Sequence, residues 1–204
     1  MQKDLFNDIT KKTYSNLRIP YMGSKNKISH DLMYKMLEYK PNAKYFVDCC
    51  GGGASLSFLA IQMGLKVHYN DLQTDLVNFV EYIINRVKNN EKSKYGLFPE
   101  EFYNFVDRET FNKHKNESTI YGQFIRICYS FGNSQRSYLF GKDTENQKYL
   151  AHNIVMFQCE KSLKEFNEIL NVKFTLSNKK TWNERRFDYM QNFSREQRLK
   201  KKMY

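Results

Sequence analysis

The stretch FVDCCGGGAS, residues 46–55, decides the fold of this chain. An apolar run ends in a carboxylate, and three consecutive glycines then precede an alanine and a serine. Because glycine lacks a Cβ atom, a bend built from three of them lets the backbone approach a ligand closely. The same residues also suit a tight strand-to-helix turn without any ligand, and the glycines alone favour that simpler interpretation.

The residues around this stretch predict one βαβ unit. Residues 44–49, KYFVDC, are apolar and rich in strand-forming residues. The segment ASLSFLAIQMG then places apolar residues at helical spacing, and Gly64 is positioned to end that helix. In the following LKVHYND, Val67 and Tyr69 alternate as in a second strand.

A carboxylate follows the second predicted strand, because Asp71 lies 23 residues after Asp48. A nucleotide-like cofactor bound over the ends of parallel strands needs an acceptor for its ribose hydroxyls about 20 residues further along. The glycines and this carboxylate together favour a cofactor site over a plain turn with a helix-capping aspartate. Nicotinamide and S-adenosylmethionine sites both match this pattern, but the absence of GxGxxG favours the methyl donor.

The rest of the chain is predicted to be mainly helical. Thr74 is placed to cap a second helix that keeps one face apolar as far as Val87. The polar run KNNEKSK is the predicted boundary between parts of residues 1–92 and 93–204. Further helices are predicted over residues 99–111, 120–128 and 146–170, and TWNE at 181–184 matches a capping box that opens a final basic helix.

Composition indicates a folded globular protein that attracts polyanions. The chain has 204 residues, of which 41% are hydrophobic, and a formal net charge of +11. This charge makes nucleic acid the first candidate partner, although ribosomal and membrane-surface proteins share it.

The cysteines, the histidines and the apolar residues limit the classes of protein to which this chain can belong. The four cysteines form no CxxC pair and the four histidines are scattered, so we expect reduced thiols and assign no metal. The N-terminal MQKDLFNDITKK lacks an apolar core, and no window approaches about 18 apolar residues. We therefore expect neither a signal peptide nor a membrane span, and a cytoplasmic location.

Three segments in order, LRIPYMGSKNK, YFVDCCGGGAS and HYNDLQTDLVNF, resemble the start of the Dam-like DNA adenine N6-methyltransferase family, in its phage-type branch. The resemblance implies a Rossmann-like S-adenosylmethionine-dependent methyltransferase fold, α/β with an incomplete sheet and a mainly helical DNA-recognition insertion. The cofactor-binding residues that it implies are Tyr21, Lys25, Asp48, Gly51, Gly52, Gly53 and Asp71. Lys25 would lie near the carboxylate of the methionine moiety, and Asp71 would accept the ribose hydroxyls.

The sequence departs from the family pattern at two positions. Cys49 stands where proline is common, and Ala54 stands where glycine is usual. An alanine adds one methyl group at the start of the helix, so it narrows a pocket there without filling it.

A second region, GQFIRICYSFGNSQRSYLFGK at 122–142, resembles the target-recognition part of the same branch. The implied partner is double-stranded DNA, with polar side chains on base edges and aromatic ones as wedges. The basic tail, residues 179–202, holds nine lysines or arginines against three acids and would contact phosphates. The DNA-binding candidates are Asn133, Gln135, Arg136, Tyr138, Lys142, Arg185 and Arg186. For residues 122–142 the alternative is a polar turn flanked by core aromatics. For the basic tail it is an amphipathic helix with a solvated basic face.

The catalytic tetrapeptide DPPY of the family is missing from this chain. Its three prolines, Pro20, Pro41 and Pro99, are isolated, so no catalytic residue is assigned. FDYM at 187–190 lies in a predicted helix without prolines and is not a substitute. The chain would then be part of a longer enzyme, half of a split enzyme completed by a second polypeptide, or a catalytically silent DNA-binding protein. Besides a methyltransferase and a silent DNA-binding protein, a third class of protein is a fragment of a nicotinamide-dependent oxidoreductase. The basic tail disfavours that class.

Overall fold

The computed structural model describes residues 19–201, with side chains described as far as residue 192. Three parts of the sequence predictions lie outside this range. They are the N-terminal MQKDLFNDITKK, the first two residues of LRIPYMGSKNK and the last residue of the basic tail. Within residues 19–201, every helix is too short or too polar to cross a membrane.

The described residues form an α/β fold with eight α-helices and one two-stranded parallel sheet. In chain order the elements are α1 (Ser29–Tyr39), β1 (Tyr45–Asp48), α2 (Ser55–Gln62), β2 (Lys66–Tyr69), α3 (Thr74–Lys88), α4 (Arg108–His114), α5 (Ile120–Cys128), α6 (Lys142–Phe157), α7 (Glu160–Leu170) and α8 (Trp182–Lys201). Short 3₁₀ turns occupy Lys25–Lys27, Glu100–Tyr103 and Phe131–Asn133.

The predicted βαβ unit is confirmed. β1 pairs in parallel with β2 in a register that sets Tyr45 opposite Lys66 and Asp48 opposite Tyr69. Helix α2 crosses between the strands, and Gly64 follows its end with φ +85°, a conformation that glycine adopts without strain. Apolar side chains of α1 and α2, among them Met33, form the core on one side of the sheet.

Several predicted helix boundaries are wrong. Thr74 is the first residue of α3, and no side chain caps that helix. Residues 99–111 contain a 3₁₀ turn and the start of α4 rather than one helix, because Asn104 is extended between them. The helix predicted over 146–170 is two helices, since the chain turns at Gln158 with φ +52°.

The described residues divide into two compact units, and this division differs from the predicted boundary at 92/93. The first unit comprises residues up to 90 together with 111–139, and the second comprises 91–110 together with the residues from 140 onwards. Helix α5 belongs to the first unit because it packs against α3. There Arg126 of α5 donates to Asp75 of α3 at 2.8 Å and also to the carbonyl oxygens of Lys115 and Glu117.

In the second unit, the predicted capping box is confirmed. The Glu184 amide donates to Thr181 Oγ1 at 3.3 Å, and the Thr181 amide donates to Glu184 Oε2 at 3.0 Å. The next residue, Arg185, is only 8% exposed. Its guanidinium donates to the carbonyl oxygens of Val155 and Met156 in the last turn of α6, where unpaired carbonyls need donors.

Candidate functional site

A cavity of about 200 Å³ lies in the first unit, where the carboxyl ends of β1 and β2 meet. Parallel strands end at the same edge of a sheet, so the residues after each strand converge there. All seven residues predicted to bind the cofactor line this one cavity: Tyr21, Lys25, Asp48, Gly51, Gly52, Gly53 and Asp71. The structure thus brings together three segments that are far apart in the sequence.

Asp71 faces the glycine bend rather than turning away from it. Its Oδ2 accepts the Gly52 amide at 2.9 Å, and its Oδ1 accepts the Gln73 amide at 3.0 Å. Each carboxylate oxygen can accept a further hydrogen bond, so hydroxyl donors in the cavity still find acceptors on Asp71. The Gly51 amide is also engaged, by the Asn70 carbonyl at 2.9 Å.

The glycines are required by protein packing as well as by the cavity. A Cβ atom on Gly51 would overlap the ring of Tyr69, and one on Gly53 would lie 2.7 Å from the Ile19 carbonyl oxygen. Gly52 has φ +50°, and a Cβ there would lie 3.1 Å from the Tyr21 ring. The bend is therefore narrow because two aromatic side chains lie against it.

Both tyrosines beside the bend are hydrogen-bond donors. The Tyr69 hydroxyl donates to the Gly52 carbonyl oxygen at 2.7 Å. Burial raises the pKa of Tyr69 strongly, and the nearby carboxylates of Asp71 and Asp48 raise it further. Burial and Asp71 also raise the pKa of Tyr21. Both phenols therefore stay neutral across the physiological pH range.

Lys25 and Asp48 place opposite charges on the cavity wall. Lys25 Nζ donates to the Cys50 carbonyl oxygen at 3.2 Å. Asp48 is buried, and its Oδ2 accepts the Ser57 hydroxyl at 2.6 Å. With Asp71, the wall carries two carboxylates and one ammonium group.

Ala54, where the resemblance has glycine, immediately precedes α2 in the left-handed conformation with φ 57° and is fully buried. A non-glycine residue in this conformation is strained by about 1–2 kcal/mol. The sequence showed the departure at this position but gave no signal for the conformation.

Sequence reasoning missed the role of Gln73. Its Oε1 accepts the Tyr21 hydroxyl at 3.5 Å and the side-chain amide of Gln135 at 3.2 Å. Gln73 thus connects a cavity residue to the turn of residues 131–136. Its position two residues after Asp71 was the available signal.

The predicted DNA-binding residues of the first unit differ in their exposure to solvent. Asn133 and Gln135 have φ of 54° and 63°, so a tight turn presents them, and Arg136 is exposed. Tyr138 is 7% exposed and its ring packs against Phe111. The expectation that Tyr138 wedges or stacks on DNA is therefore wrong, because its ring belongs to the core.

In the second unit, Lys142 and Arg186 are exposed, as a phosphate contact requires. Arg185 is not, since its guanidinium is occupied by carbonyl oxygens of its own unit, and its assignment to DNA is corrected. Asp188 accepts the Ser177 hydroxyl at 2.6 Å, and the Tyr189 hydroxyl accepts the Ser177 amide. FDYM is thus part of a helix whose polar groups hold the preceding loop.

Among residues 19–201, no group of three or more histidine, cysteine, aspartate or glutamate side chains is arranged to hold a metal ion. Comparison of the chain with protein-family models, with curated proteins and with solved structures found no match in any of the three.

We predict that Gly51→Ala destabilises the protein by about 1–3 kcal/mol, because the added methyl overlaps the Tyr69 ring. Urea unfolding measures this loss. In a Tyr69→Leu background, which removes the ring, the loss should shrink. Gly64→Ala is the control for a substitution without overlap, because its Cβ meets no atom within 4 Å and only its φ is strained. Its loss should be the same in both backgrounds. Equal losses from Gly51→Ala in both backgrounds would contradict the packing described for the bend.

Proposed function

We propose that this chain is the S-adenosylmethionine-binding and DNA-binding part of an adenine-specific DNA methyltransferase with a Rossmann-like fold. The observation that carries the proposal is the convergence of all seven residues implied by the resemblance on one cavity at the carboxyl ends of two parallel strands. Cofactors of α/β proteins bind at this edge of the sheet.

The groups on the cavity wall match the chemistry of S-adenosylmethionine. The cofactor carries a sulfonium, an ammonium and a carboxylate, and the wall carries two carboxylates and one ammonium group. Asp71 would accept the ribose hydroxyls, Lys25 would pair with the methionine carboxylate, and Asp48 would favour the cationic groups. When bound, the cofactor supplies an electrophilic methyl group.

A nicotinamide dinucleotide suits this cavity less well. Its pyrophosphate needs free backbone amides at the glycine bend. The Gly51 and Gly52 amides are already engaged by Asn70 and Asp71. A carboxylate against the bend also repels phosphate, so the oxidoreductase alternative is disfavoured.

DNA binding is supported by charge and exposure. The net charge of +11 attracts a polyanion, and Arg136, Lys142 and Arg186 are exposed. Asn133 and Gln135 lie in a turn next to Arg136, which suits contacts with base edges. The link from Gln135 to Gln73 connects that turn to the cavity wall.

We also propose that the groups which orient the target amine come from a DPPY segment outside this sequence, as in a truncated or split enzyme. Val47 and Tyr45 of β1 are 61% and 57% exposed. Parallel sheets are normally covered on both faces, so a polypeptide that packs on this face would bury these two side chains. The alternative is a catalytically silent DNA-binding protein that retains the fold.

Transfer of a radiolabelled methyl group to duplex DNA tests the activity directly. We expect no transfer by this chain alone, and transfer once a DPPY-bearing polypeptide encoded beside it is added. Transfer by this chain alone would show that the tetrapeptide is dispensable here. DNA binding without transfer under either condition would favour the silent protein.

Calorimetry with S-adenosylmethionine and with NAD tests the cavity. We expect binding of the first only, and Asp71→Asn should weaken it by about tenfold or more, because hydrogen bonds to a charged group contribute about 1.5–3 kcal/mol. Asp31→Asn, at an exposed position in the first turn of α1, is the control and should bind normally. NAD binding would favour the oxidoreductase, and unchanged affinity in Asp71→Asn would remove the ribose assignment.

Fluorescence anisotropy with a labelled DNA duplex tests the phosphate contacts. We expect Arg136→Ala to weaken binding and to lower the salt dependence by about one released counterion. Lys35→Ala in α1 removes an equal charge from another exposed position and serves as the control. Equal effects of the two substitutions would mean that only net charge, and not the turn at residues 131–136, contacts DNA.

A further inference from the structure

Two adjacent cysteines lie between β1 and the glycine bend. Cys49 and Cys50 are both exposed, and Cys50 also lines the cavity. The backbone of each is fixed, because the Cys49 carbonyl accepts the Asn70 side-chain amide at 2.9 Å and the Cys50 carbonyl accepts Lys25 Nζ. Two exposed thiols therefore lie on neighbouring residues, and one of them, Cys50, is at the wall of the candidate site.

The other two cysteines lack this arrangement. Cys128 is only partly exposed, and desolvation raises the pKa of its thiol to about 12, which makes it a poor nucleophile. Cys159 is partly exposed, but neither sequence neighbour is a cysteine. Only Cys49 and Cys50, among the four, offer two adjacent accessible thiols.

We propose that Cys49 and Cys50 form a dithiol modification site for soft trivalent electrophiles, with trivalent arsenicals as the ligand class, and that its occupation closes the cavity to the cofactor. The closure rests on the function proposed above; the capture of the electrophile does not. Cys49 and Cys50 both lie in the turn after β1. Their Cα atoms are about 3.8 Å apart, and the turn does not hold their side chains on opposite faces as a strand would. Bridging by one arsenic atom is therefore part of the proposal.

The chemistry of capture is a condensation. Each thiol sulfur forms one bond to arsenic, the arsenic–oxygen bonds break, and the two thiol protons leave with the oxygen as water. No atom changes oxidation state. The product places an arsenic atom with its organic substituent on Cys50, at the wall of a cavity of about 200 Å³ that includes Lys25, Gly51 and Asp71.

Phenylarsine oxide is the probe, with intact-mass spectrometry as the first readout. We expect one arsenical for each chain, resistant to excess 2-mercaptoethanol and removed by dithiothreitol, because only a dithiol competes with a two-point attachment. Cys49→Ser and Cys50→Ser should each lose this resistance, whereas Cys159→Ser should keep it. Capture that 2-mercaptoethanol reverses in the unsubstituted chain would overturn the dithiol site.

Calorimetry is the second readout. S-Adenosylmethionine affinity should fall at least tenfold after treatment and return with dithiothreitol. In Cys50→Ser, affinities measured before and after treatment should agree with each other. Unchanged affinity of the treated chain would overturn the closure alone. An untreated chain that binds no S-adenosylmethionine would overturn the proposed function and the closure. The intact-mass measurement would still test dithiol capture in that case.

Discussion

The candidate site depends on the contact between the Asp71 carboxylate and the Gly52 amide. This hydrogen bond joins the end of β2 to the bend after β1, so it fixes the position of the acceptor relative to the glycines. A charged acceptor strengthens such a bond roughly twofold over a neutral pair. The same carboxylate holds the Gln73 amide at the entry to α3, so the bend, the acceptor and the next helix form one connected unit.

Local signals were sufficient for the βαβ unit. Apolar residues at strand or helix spacing, three glycines and a terminal Gly64 act within a few residues of each other, and each predicted element of this unit is present. The resemblance implied the seven cavity residues. Strand geometry accounts only for the glycines and Asp71, which follow β1 and β2, because Tyr21 and Lys25 precede both strands. The Thr181–Glu184 capping box could be read for the same reason, since its partners are three residues apart.

Features fixed by distant contacts could not be read from the sequence. The break at Gln158 lies beside Arg185, which donates to the carbonyl oxygen of Val155 in the last turn of α6 from 30 residues away. In the sequence, Tyr138 suits base stacking, but in the structure its ring packs against Phe111. Residues 111–139 join the first unit through contacts such as Arg126 with Asp75, which span 51 positions. In each case the residue type suits two roles, and burial decides between them.

The first unit is interrupted in the sequence, and this has a consequence for how the protein is made. Helix α3 buries Leu76, Phe79 and Val80, and it packs against α5, which ends at Cys128. A nascent chain leaves the ribosome in order, so the apolar face of α3, whose last buried residue is Val80, is synthesised 40 residues before α5 begins at Ile120. Until then that face is open to non-native partners, and an early pause in translation would prolong its exposure to chaperones and proteases.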